Sequence, residues 1–157
     1  MKPTILLLIF SIFASTAAQA DGSRQQAKPL IPKRWQAIYE SYGFAPALRV
    51  GNTIYVSGII VRLAEGDNYE EQYANGIRKT FKQVEEILAI EGASLDDIVD
   101  MTSFHTDLPR QMETILRVRK EHMKLPHPAW TAVGTTSLAA PDGHTEIKFT
   151  VELAASK

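Results

Sequence analysis

Apolar residues recur along this chain at two different periods, and the switches between them mark its elements. Tyr73, Ile77, Phe81, Val84, Ile87 and Leu88 follow one another at spacings of three and four, which lines one face of a helix turning every 3.6 residues. They predict a helix over about 68–91. Gly92 is its closing residue, because a left-handed terminal residue is least strained in glycine. Ahead of it, Thr53-Ile54-Tyr55-Val56-Ser57 is a β-branched and aromatic run, entered through Gly51-Asn52 and closed by Gly58, the composition of a hairpin arm. Residues 35–39 and 47–50 are shorter strand candidates. Beyond the helix, 98–106 returns to strand character. Pro109 can open a second helix, where its missing N–H costs nothing, with Met112, Ile115, Leu116 and Met123 as apolar positions. Residues 130–137 predict another strand. In the last one Ile147, Phe149, Val151 and Leu153 alternate with Lys148, Thr150 and Glu152, so one face is buried and the other wet.

This order predicts an α+β fold, with two helices packed on one face of a six-stranded, mixed or mostly antiparallel sheet. The other face has no helices left to cover it. Association of copies through the sheet is therefore expected.

The first twenty residues follow a different pattern. Met1-Lys2 sets one positive charge before the apolar run Ile5-Leu6-Leu7-Leu8-Ile9-Phe10-Ser11-Ile12-Phe13. That run is too short for a bilayer, which needs about 20 residues. It fits a signal-peptide core of about 7–15 residues. Ala18-Gln19-Ala20 has the form of a signal-peptidase site, so cleavage is expected to leave Asp21 first and place the mature protein in the periplasm or outside the cell. Residues 21–32, with Gly22, Ser23, Pro29 and Pro32, read as a flexible polar tail. Residues 33–157 are then one domain, without a membrane span.

Composition narrows the chemistry. The 157 residues include no cysteine, and 22% are charged with a net charge of −1. Disulfide frameworks and thiolate metal sites are excluded, and nothing suggests a basic nucleic-acid arm. No P-loop, dinucleotide fingerprint or nucleophile elbow occurs. His105, His122, His127 and His144 lack metal-ligand spacing, so neither metal nor cofactor is expected. Arg117, Lys120 and Lys124 share a face of the second predicted helix, with Arg110 and Arg119 nearby. Glu113 and Glu121 interleave with them, which describes a solvated face rather than a phosphate track.

Two stretches place unusual residues at strand ends. One is Gly51-Asn52-Thr53-Ile54-Tyr55-Val56-Ser57-Gly58. The other is Pro128-Ala129-Trp130-Thr131-Ala132-Val133-Gly134, followed by Pro141-Asp142-Gly143-His144-Thr145-Glu146-Ile147. With the Phe104–Leu108 turn, and in this order around the long helix, they resemble the Rid family (reactive intermediate deaminases, also called the YjgF family). The resemblance runs from about residue 45 to 153. It implies a chorismate-mutase-like fold and a homotrimer whose sheets form an inner barrel. It also implies three intersubunit clefts for a small molecule.

In active members the implied reaction is hydrolysis of an imine or enamine derived from an amino acid. Carried over by position, Glu146 matches the family's acid, Ser57 the cleft serine, and Gly58 the residue whose backbone faces the ligand. Phe44 falls near a cleft-edge tyrosine, keeping the ring and losing the hydroxyl. The family's Pro-Ala-Arg becomes Pro128-Ala129-Trp130, and a position often held by a cleft asparagine becomes Leu116. An indole offers an apolar face and one N–H but no guanidinium fork. Losing a buried charged contact costs about 2–5 kcal/mol, so a substrate with less negative charge than a 2-imino acid is expected. Arg49 and Arg62, near strand ends, are the candidates to replace the lost cation. Two other readings stand beside the enzyme: a trimer that binds a metabolite or partner without turnover, and an RNA-cleaving protein. The acidic balance and the export signal oppose the last.

Overall fold

The computed structural model describes residue 22 and residues 24–154. The expected signal peptide, residues 1–20, lies outside the described residues. Six strands form one sheet: β1 (Lys28–Leu30), β2 (Ala47–Val50), β3 (Thr53–Val61), β4 (Ile98–His105), β5 (Ala129–Gly134) and β6 (Thr145–Glu152). Their spatial order is β1-β2-β3-β6-β4-β5. Every neighbouring pair is antiparallel except β4 and β5. A parallel pair needs a crossover connection, and α3 (Leu108–His122) provides it. The longer helix α2 (Tyr69–Leu88) connects β3 to β4, which flank β6.

The helix α2 forms where the period places it. Asn68 caps it by accepting a hydrogen bond from the Glu71 amide at 3.0 Å, satisfying a donor that has no partner inside the helix. A 3-10 turn, Ala89–Glu91, carries the chain on to Gly92 at a φ of 68°. All six stripe residues, Tyr73 through Leu88, are fully buried. They share one core with Ile54, Val56, Ile59 and Val61 of β3 and with Ile147, Phe149 and Val151 of β6. Each such side chain contributes about 1.5–3 kcal/mol by leaving water. Gly76 permits the close approach: a Cβ there would stand 2.0 Å from the Arg62 carbonyl oxygen.

Two expectations are corrected. Residues 35–39 are not a strand; they belong to a 3-10 turn (Lys33–Trp35) and a helix α1 (Gln36–Tyr42) ending at Gly43 with φ of 69°. Trp35, Ile38 and Tyr42 share a cavity wall, which is helical spacing. A window of five residues was too short to separate that period from alternation. The polar tail is also shorter than its composition suggests. Lys28–Leu30 pairs antiparallel with β2, and Leu30 is fully buried. The sheet thus has six strands through β1, and the helices number three among the described residues. The Glu91 carboxylate fastens β1 and β2 to the end of α2 through Lys28, at 2.6 Å, and Arg49. These two cations hold it below the usual carboxylate range.

Along β6, Thr145, Ile147, Phe149 and Val151 point into the core, and Glu146, Lys148, Thr150 and Glu152 occupy the face without helices. Tyr55 and Val133 lie on that second face, 53% and 39% exposed. No helix among the described residues is long and apolar enough to cross a membrane.

Candidate functional site

The ladder between β3 and β6 skips at one place. Val56 pairs with Phe149 and Ile59 with Ile147, so Ser57 and Gly58 together oppose Lys148. This is a β-bulge, a device that re-aims a strand and leaves ladder groups free. Ser57 is anchored there: its Oγ donates to the Ala45 carbonyl at 2.7 Å, and its amide donates to the Pro46 carbonyl at 2.9 Å. Glu146 sits beside the bulge, in register with Ile60 on one side and Phe104 on the other. Its carboxylate lies directly over Gly58. A Cβ on that residue would stand 1.8 Å from Glu146 Oε1 and 2.6 Å from its Cδ. Only glycine leaves the carboxylate this position.

Phe44 stands near the bulge. With Trp35, Gly58, Ile60 and Arg62 it lines a cavity of about 560 Å³. A smaller hollow of about 260 Å³ lies against Glu146, Phe104 and residues of the loop after β5, and Ala139 borders both. Arg62, a candidate replacement cation, is ion-paired to Asp142 at 2.7 Å. Arg49 is held by Glu91 and the Gly51 carbonyl at the other end of the sheet. Neither is free to clamp a carboxylate beside Glu146.

Trp130 is elsewhere. It registers with Met101, which registers with Phe149, so its ring lies on the helix side of the sheet. Glu146 is on the opposite side. Within one chain, then, the structure sets Glu146 on Gly58 beside Ser57, gives Phe44 a cavity shared with Gly58, and leaves Trp130 apart. Leu116 is on the helix side as well, part-buried on α3.

The indole is fixed by a buried polar chain that the sequence reading missed. Trp130 Nε1–H donates to Ser103 Oγ at 2.9 Å, and that hydroxyl is 2.8 Å from His105 Nε2. His105 Nδ1 faces Gln111 Oε1 at 3.1 Å, and Gln111 Nε2 donates to Tyr69 OH at 3.2 Å. One tautomer satisfies every member: His105 donates from Nδ1, and Ser103 donates to Nε2 while accepting from the indole. A second proton on His105 would leave the Ser103 hydroxyl without its acceptor. Burial likewise pushes the imidazole below its usual range. The legible signal was Ser103 and His105 at alternate positions of a strand whose inward residue Met101 is apolar.

The sign of the resulting pH dependence follows. The unfolded chain binds a proton at His105 near pH 6.5 and the folded chain resists it. Stability from this site is therefore complete above about pH 6.5 and declines as pH falls toward the lowered folded value. His105→Gln is expected to flatten that limb of a plot of melting temperature against pH. A limb of unchanged slope would remove His105 as its source.

The remaining histidines pack or face water: His122 stacks on Phe81 at 4.8 Å and His144 Nδ1 meets Tyr69 OH at 3.3 Å. The basic face of α3 is solvated as expected at Arg110, Arg117 and Lys120, and Lys124 is exposed just beyond the helix. Arg119 is the correction. It is 7% exposed, and its guanidinium lies over the Trp130 ring, 4.9 Å from the centroid. Its place four residues after Ile115 and next to Val118, on the apolar side of the helix, was the signal.

Residues 35–153 match the family model described as Endoribonuclease L-PSP. The RutC family protein YjgH of Escherichia coli K12 is 36% identical over 114 residues, covering 72% of this chain and 86% of YjgH. The chain belongs to the Rid/YjgF family. A solved structure of protein YjgH superposes with a TM-score of 0.66 at 31% identity, covering 82% of this chain and 98% of that one. The crystal structure of Rv2704 from Mycobacterium tuberculosis, a YjgF/YER057c/UK114 family member, gives 0.63 at 23% identity, with 81% and 99% covered. At that identity it shows the fold. The family's chorismate-mutase-like architecture, helices on one face of a six-stranded mixed sheet, is the one described above.

Proposed function

We propose that this chain is a deaminase-type hydrolase of imines or enamines, working as a homotrimer with its active clefts between subunits. The observation that carries the reading is the Glu146 carboxylate seated over the Gly58 backbone at the Ser57–Gly58 bulge. A carboxylate held against a cavity wall can take a proton from water as its oxygen attacks the C=N carbon. The same group then returns that proton to nitrogen, giving the carbinolamine. It next takes the carbinolamine hydroxyl proton and passes it to the amine nitrogen, so that the C–N bond breaks, a carbonyl forms and ammonia leaves. Trp130 and Glu146 lie on opposite faces of one sheet, so the two can share a cleft only between copies, at a seam reached by the edge strand β5. The uncovered face with Tyr55 and Val133 supports that assembly, its sheets closing into an inner barrel.

The Pro128-Ala129-Trp130 sequence makes amino-acid-derived 2-imino acids poor substrates, because an indole cannot fork onto a carboxylate bonded to the reacting carbon. Replacement of the arginine also favours a second reading, a trimer that holds a metabolite or partner and turns nothing over. An RNA-cleaving role is less well supported: Arg78 and Arg117 are both paired with Glu121, and Lys124 with Asp96, which leaves little free charge for phosphates. The signal-like residues 1–20 support export to the periplasm or beyond, and cell fractionation tests it.

The deciding assay supplies imines in place. An amino-acid oxidase makes 2-imino acids, and a flavin-dependent amine oxidase makes imines without an adjacent carboxylate. Faster ammonia release from the second class is the expected result. No acceleration of either class, with ligand binding retained, would establish the binding reading instead.

A further inference from the structure

Arg119 is a buried cation without an acid. Arg34, Arg49, Arg62, Arg78, Arg110 and Arg117 each meet a carboxylate. The Arg119 side chain makes no hydrogen bond or ion pair among the described residues. Its Nε is wholly buried and unpartnered. A cation this deeply buried without a counter-charge is costly, and buried charges are ordinarily paired or hydrogen-bonded. Stacking on an indole recovers part of that cost and leaves the guanidinium's donors unused.

The surroundings hold this cation in place. The indole beneath it is fixed by the Ser103 hydroxyl, which is itself fixed by His105. Arg119 stands one helical turn beyond Leu116 on α3, and Trp130 occupies the strand position beside it. Arg119 thus presents its guanidinium from α3, with the indole as its platform. An unpaired, largely buried and oriented guanidinium is the kind of group that grips a carboxylate.

We propose that Arg119, carried on the face of Trp130, is the anion-binding residue of the cleft. Trp130 disfavours a carboxylate bonded to the reacting carbon, whereas an unpaired guanidinium on the indole face calls for an anion, so that anion stands farther along the substrate. The substrate class is then an imine or enamine whose carboxylate is separated from the C=N by a short carbon chain. This placement rests on the hydrolase reading above for the C=N, and on Arg119 alone for the carboxylate.

Calorimetry on the purified full chain tests it with stable oxo compounds as probes. 4-Oxopentanoate carries a set-back carboxylate, 2-oxobutanoate an adjacent one, and 4-oxopentanamide is the uncharged match of the first. Tightest binding is expected for 4-oxopentanoate. Arg119→Met, which keeps an apolar stem over the ring, should weaken it by about thirtyfold or more, and Arg119→Lys should restore part of the loss. Amide binding should not change in either variant. The proposal is overturned if acid and amide bind the unaltered chain equally, a comparison that needs no variant to fold. It is overturned too if Arg119→Met lowers thermal stability but leaves acid affinity intact, or if no oxo acid binds. The two readings separate cleanly. Arg119-dependent binding without hydrolysis of any imine would keep this assignment and remove the enzyme. Hydrolysis indifferent to Arg119→Met would do the reverse.

Discussion

Glu146→Gln is expected to slow imine hydrolysis by about 10²–10⁴-fold, the usual contribution of a positioned general acid–base group, with the fold and ligand affinity unchanged. The amide fills the same volume beside Gly58 but cannot take a proton from water. The loss should appear in kcat and kcat/KM together, because the interaction removed is made in the transition state. Gly58→Ala should reproduce much of the loss by another route. Its methyl would need the space now occupied by Glu146 Oε1, 1.8 Å from the built Cβ, and the carboxylate must swing away. Steady-state kinetics on an accepted imine, with calorimetric affinity for an oxo compound measured alongside, checks both. An undiminished rate in Glu146→Gln would take the acid–base role from this residue. Unaltered affinity with no rate in any form would leave a binding protein.

Phe81→Ala should destabilise the fold by about 3–5 kcal/mol, the range for deleting a buried aromatic ring. Phe81 is fully buried on α2, 6.1 Å from the Phe149 ring of β6 and stacked 4.8 Å from His122 at the end of α3. It therefore touches both helices and the sheet, and no single neighbour can move in to fill its place. Against a typical total of about 5–15 kcal/mol, the loss lowers the melting temperature by on the order of 10 °C. Denaturant titration at a fixed protein concentration measures it, since association also shifts apparent stability. A loss below about 1 kcal/mol would mean that the layers repack more freely than this core suggests.

The sequence alone reached α2 through Tyr73–Leu88, the left-handed Gly92 that follows the 3-10 turn after it, β6 through its alternation, and the α+β order of elements. Those features depend on local period and on residues with one clear conformational use, so a single strand of text carries them. It reached Glu146, Ser57, Gly58 and Trp130 as candidates through their motifs. It misread residues 35–39, where five positions fit both periods, and β1, where a buried Leu30 lies among polar neighbours. What it could not reach was which candidates face one another. Glu146 and Gly58 meet because a bulge shifts β3 against β6, a pairing between residues far apart in the chain. Trp130 falls on the opposite face because β5 joins β4 in one register and not the next, and a slip of one residue would reverse its side. Arg119 read as one charge in a solvated stripe until α3 was laid on the sheet, which took it out of water and set it on an indole. Period and residue type are properties of the chain; faces, registers and unpaired buried charges exist only once its strands and helices are packed together.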